Sequence, residues 1–229
     1  MKKNISWITI LDLLVYAVII GFVAYGKSQS NFGQEAFDKV IREDGWVEYL
    51  TALFLLLGSI LFASKAVKAK KQKSGKKVFF NALASFVFFF GLGEEISWGQ
   101  RIFSVQSGEY FMQNNYQGET NLHNLEIGGV DLNILIFSKL MFVALISYFI
   151  ILPLLTWKVK AIRKLVIDFG VPIPRLHHII ILFAVNTFIP LAINLVKESE
   201  LHELALTGIM FLILINPAKK IREVSLSHY

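Results

Sequence analysis

The chain contains no cysteine. Disulfides and thiolate-bound metal centres are therefore excluded, and any metal must be held by nitrogen and oxygen. Charge is scarce too: only 17% of its 229 residues are Asp, Glu, Lys or Arg. A soluble domain of this length carries more charge on its surface. No internal repeat is visible, and only the Lys-rich stretch after residue 64 approaches low complexity. One segment, Ile102–Leu132, has no Lys or Arg at all.

What fills the chain instead is hydrocarbon. Hydrophobic residues make up 55% of it, 20 of them Phe, and its mean hydropathy is +0.56. Six apolar segments stand out: Trp7–Tyr25, Val47–Ala63, Val78–Ile96, Leu132–Trp157, Leu176–Val196 and Leu201–Ile215. Spanning a bilayer takes about 20 residues. The second and sixth reach that length when their polar ends, Glu48 and His202–Glu203, enter the outer edge of the bilayer. The expected fold is all-α: a polytopic integral membrane protein of about six transmembrane helices, one bundle over residues 1–229 with an outer loop at 102–131. The first segment also has the look of a secretory signal, with Ala24-Tyr25-Gly26 as a small-x-small site. Its apolar stretch is longer than a signal core, so a retained helix is expected.

Basic residues set the orientation. Lys2 and Lys3 precede the first segment, and seven lysines between Lys65 and Lys77 follow the second. Lys158, Lys160, Arg163, Lys164 and Arg175 follow the fourth, and Lys219, Lys220 and Arg222 the sixth. The alternation predicts both ends in the cytoplasm. Trp7 and Trp157 then fall near the inner interface, and Trp46 and Trp98 near the outer one. The pI near 9.4 is accounted for by these links, so nucleic acid is not an expected partner.

On that topology four polar stretches collect at the outer face: Glu43–Glu48, Gly91–Arg101, Gln117–Asn124 and Asn194–Glu203. Glu94 and Glu95 follow about 16 apolar residues, roughly 24 Å up a helix. An ionisable group there needs a partner or a wet cavity. Glu94, Trp98 and Arg101, at i, i+4 and i+7, are expected on one helix face. Lys139, at comparable depth in the fourth segment, is a candidate countercharge. Gly91 and Gly93 read as close helix packing. Two readings stay open for this cluster: a functional site, or an ion-pair network that braces the third helix.

As a site, Glu94 or Glu95 would be a general base, and Arg101 would hold an anionic group. His123, between Asn121 and Asn124, would serve as acid or ligand. Glu48, Trp98, Gln100, Lys139 and Asn121 are candidate substrate contacts. His123 and His202 together suit a divalent metal such as Zn²⁺ or Mn²⁺. His202-Glu203 opens like a His-Glu-x-x-His zinc helix, but position 206 is Leu. For His177 and His178, after Pro172-Ile-Pro174-Arg175, a helix-start role is expected.

Gly93–Arg101 resembles, in its Glu-Glu pair and membrane setting, the CAAX-protease-like and PrsW-type intramembrane peptidases. The rest of their motifs is missing: Gly99 stands at the arginine position of the first and Trp98 at the lysine position of the second. Glu-Asp-Gly-x-x-Glu, Gly-Glu-Glu-Ile-Ser-Trp-Gly-Gln-Arg and Gly-Glu-Thr-Asn-Leu-His-Asn together resemble an uncharacterised group of bacterial multi-pass inner-membrane proteins. That resemblance implies a bacterial inner membrane and no particular reaction. Three function classes follow: a membrane-embedded hydrolase or transferase acting on a lipid-linked or peptide substrate, an assembly subunit gripping a membrane-protein partner through the outer loop, and a proton-coupled transporter using Glu94, Glu95 and Lys139 as a relay.

Overall fold

The structure, a computed structural model, describes residues 6–218. Lys2, Lys3, Lys219, Lys220 and Arg222 lie outside them. The described chain is mostly helical, and four helices are long and apolar enough to cross a membrane: α1 Trp7–Ser30, α3 Trp46–Lys71, α4 Gly75–Glu95 and α6 Asn133–Lys158. Their apolar side chains face outward, with Phe79, Phe86 and Phe142 all more than 60% exposed. Such faces are stable in lipid and not in water. This marks a membrane protein. Shorter elements are α2 Gln34–Asp38, α5 Glu109–Asn114, α7 Lys160–Phe169, α8 Leu176–Ala192 and α9 Ser199–Ile215. Among the described residues, β structure consists of a hairpin of β1 Glu126–Ile127 and β2 Val130–Asp131 and an isolated bridge between Asn115 and Leu125. Gly128 and Gly129 turn the hairpin, both with positive φ, as a tight hairpin turn requires.

The chain divides into two compact units, residues 1–61 with 172–229, and residues 62–171. The first is built around α9, whose Leu201, Leu204, Ala205, Ile209, Leu212 and Ile213 are fully buried. Helices α1 and α8 pack on it, as does Phe54 of α3, whose ring meets Phe211 at 5.5 Å. Gly208 permits this closeness: a Cβ there would lie 3.1 Å from Ile19 and 3.2 Å from Phe54. Small residues at helix contacts are the usual means of close approach in a membrane.

The second unit holds the end of α3, then α4 to α7. Helix α3 runs to Lys71, well past the expected end at Ala63, because Ala63, Ala66 and Ala69 favour helix and the lysines project from its last turns. Helix α7 was expected to be plain link. Its sequence is amphipathic, with Val166 buried, and Gly170 ends it in the left-handed conformation. It packs against the start of α4, where Lys76 pairs with Asp168 at 3.0 Å. Helix α6 begins where Asp131 Oδ1 accepts the Asn133 N–H at 2.7 Å, and it includes two π-wound stretches, 133–140 and 147–151.

Candidate functional site

Helix α4 ends at Glu95, and the backbone then turns left-handed, with φ of +46° at Ser97 and +55° at Trp98. The i, i+4, i+7 face expected for Glu94, Trp98 and Arg101 does not exist, because the helix stops before Trp98. The reversal folds the indole back onto α4. Its Nε1–H donates to Glu94 Oε1 at 3.0 Å, and its ring lies over Gly93. A Cβ on Gly93 would come within 2.8 Å of that ring. Gly93 thus makes room for the indole of its own turn, rather than for the neighbouring helix first expected.

Glu94 is 4% exposed. Its second oxygen accepts the backbone N–H groups of Leu122 at 2.6 Å and His123 at 3.0 Å. Three N–H donors from two distant stretches therefore converge on one carboxylate, and such charge-assisted bonds are the strong ones. His123 enters this arrangement through its backbone. Glu95 closes α4 and is half-buried. Lys139 is exposed on α6, and the Glu94 bonds run to Trp98, Leu122 and His123.

Arg101 reaches a different carboxylate. Its Nη1 donates to both oxygens of Glu119, at 2.7 and 2.8 Å. Glu119 also accepts the Ser97 hydroxyl and, at 3.3 Å, the Asn121 amide. Asn121 donates to Ser97 Oγ at 2.9 Å, and Asn115 donates to Asn121 Oδ1 at 2.8 Å. Gln100 Oε1 accepts the Thr120 N–H at 2.7 Å and the Ser107 hydroxyl at 2.9 Å. Polar residues of 97–107 and 115–124 are thus spent largely on one another. They fasten the loop as a folded cap on the end of α4. Trp98, Gln100 and Asn121, candidate substrate contacts, belong to this network. Glu119 is its hub, and in the sequence it was only one letter of a polar stretch; the separation of 18 residues from Arg101 carries no local signal.

The other candidates lie in the first unit. Glu48 Oε2 accepts the Asp44 N–H at 2.9 Å, closing the turn that opens α3. His202 Nδ1 pairs with Asn186 Oδ1, tying α9 to α8. Lys197 pairs with Glu43 at 3.5 Å. His123 and His202, the expected metal pair, belong to different units.

Fold and site together define a membrane protein with four helices long and apolar enough to cross a bilayer and a hydrogen-bonded cap on the end of α4. No protein family, curated protein or solved structure matches the chain.

Proposed function

We propose that this is a six-span bacterial inner-membrane protein with both ends in the cytoplasm, and that its cap binds another membrane protein in the periplasm. The six spans require α8 and α9, each 17 residues and about 26 Å long, to cross with their flanking residues. The alternation of basic links supports that count and orientation.

One observation carries the binding role: the conspicuous charged groups hold the cap together. Glu94 is occupied by three N–H donors and Arg101 by Glu119. The Glu94 carboxylate is thereby engaged through both oxygens and the Arg101 charge is paired, so neither group stands as an uncompensated base or anion receptor. What the fastened cap presents outward is apolar: Ile102, Phe103, Val105, Tyr110, Met112 and Tyr116 are each more than half exposed. A preorganised apolar surface binds with little entropic penalty. Its charge selects a protein over the bilayer. Besides Glu119, which Arg101 neutralises, segment 102–131 holds Glu109, Glu126 and Asp131 and no Lys or Arg. Anionic headgroups repel such a surface, whereas a partner with an apolar patch edged by basic residues complements it.

A photoreactive residue placed at Phe103 or Met112 in living cells tests this. A discrete protein adduct is expected at both positions and not at Phe142, which lies exposed on α6. Lipid adducts alone at the cap would overturn the assignment.

A further inference from the structure

The first unit buries a group of polar side chains of its own. Asp12 of α1 is 6% exposed and His178 of α8 is 0% exposed. Asp12 Oδ2 accepts the Asn216 amide at 2.6 Å. Asp12 Oδ1 and His178 Nε2 are buried with no hydrogen-bond partner. They face each other at 3.9 Å, too far for a hydrogen bond. His177 completes the group: one ligand atom each from Asp12, His177 and His178 lies within 4.8 Å of the others. Nδ1 of His177 is 2.8 Å from the Tyr16 hydroxyl, which orients its ring.

The helix-start role expected of His178 is real but uses only half of its ring. Nδ1 accepts the Arg175 N–H at 3.3 Å, capping α8. That leaves Nε2 aimed at a carboxylate oxygen. A buried carboxylate facing an imidazole with neither atom satisfied is an expensive arrangement in a low-dielectric interior. A cation between them removes both deficits. A zinc ion bound at about 2.0–2.1 Å to each ligand would place the ligand atoms roughly 3.4 Å apart, so the 3.9 Å gap needs only a small closure.

We propose that Asp12, His177 and His178 form a binding site for a divalent transition metal of the zinc class, with three protein ligands and a fourth position open beside His177. An imidazole and carboxylate donor set suits zinc, and three protein ligands are the pattern of sites that keep a position for water or substrate. Tyr16 acts as the orienting partner: when Nδ1–H of His177 donates to its hydroxyl, the lone pair is left on Nε2. Metal on His178 Nε2 moves that ring's proton to Nδ1, so the long bond from Arg175 is given up on binding.

The test uses the full chain, purified in detergent, stripped with a chelator and titrated with Zn²⁺ and Co²⁺. One equivalent should bind with micromolar or tighter affinity, and Co²⁺ should give the visible absorption of a four-coordinate site. Asp12→Asn, His178→Gln and His177→Gln should each weaken binding at least about tenfold, the range of ligand-shell substitutions. His123→Ala and His202→Ala should bind as the wild type does. Because Asp12 and His178 are buried, their variants are compared only where elution and melting match the wild type. His177→Gln, at the accessible edge, decides the matter if they do not. Absence of saturable binding in the wild type, or binding unchanged in His177→Gln, would overturn the site.

Discussion

Glu94 Oε2 accepts two successive backbone N–H groups, those of Leu122 and His123, from 28 and 29 residues further along the chain. One buried carboxylate thereby sets where the cap sits on α4. Glu94→Gln keeps the shape but offers one acceptor oxygen and one amide NH2 to three N–H donors. At least one donor must then be left facing another, which costs about 1–3 kcal/mol. Hydrogen exchange of the Leu122 and His123 amides should rise correspondingly, while amides inside α1 keep their protection. Unchanged exchange at both positions would show that Glu94 does not hold the cap.

Arg101 and Glu119 form the second fastening, with side chains 19% and 10% exposed. Removing one partner strands the other in a site short of water. Glu119→Gln and Arg101→Met are each expected to destabilise the cap by about 2 kcal/mol, with the double variant losing far less than the sum. Limited proteolysis within 102–131 reports the loss directly. Additive effects in the cycle would mean that the two side chains act separately.

Gly93 and Trp98 are coupled by contact in place of charge. Gly93→Ala drives a methyl into the indole and should cost about 1–3 kcal/mol as the ring is displaced. Because the chain has four tryptophans, the signal is read after the other three are replaced by Phe. Emission should shift to the red as the indole leaves Glu94. If Gly93→Ala leaves the emission where it was, the ring does not lie on Gly93.

The long helices were legible because hydropathy over some 20 residues is a strong signal, and α1, α3, α4 and α6 overlie the expected first four segments. Their ends were less so. Lysines read as link continue α3, since a long side chain can stay in helix while its charge leaves the hydrocarbon. Helix α7 was visible in principle, from Val166 and Gly170, but was hidden by its four charges among ten residues. Within the cap the candidate residues were conspicuous and their connections were not. Periodicity placed Trp98 on the Glu94 face of a continuing helix, whereas a left-handed pair at Ser97 and Trp98 ends it. Pairings such as Arg101 with Glu119 or Asp12 with Asn216 depend on tertiary closure, and no local pattern encodes them.

The hairpin end of the cap carries a pH-dependent contact. Tyr116 donates its hydroxyl to Glu126 Oε2 at 2.9 Å, and its N–H to the Asn124 carbonyl at 2.9 Å. The hydrogen bond to Glu126 raises the Tyr116 pKa above the ordinary 10.0, with desolvation and the charges of Glu126 and Asp131 adding to it. A raised folded-state value means that the neutral phenol is favoured in the folded cap. Its contribution is full below the unfolded value near 10 and is lost as pH rises through the folded value. Ultraviolet difference titration against Tyr116→Phe should therefore show one phenol ionising later than a free tyrosine. Glu126→Gln removes the carboxylate and should bring that midpoint back toward the ordinary value. A midpoint unmoved by Glu126→Gln would mean that Tyr116 is not hydrogen-bonded to Glu126 in solution.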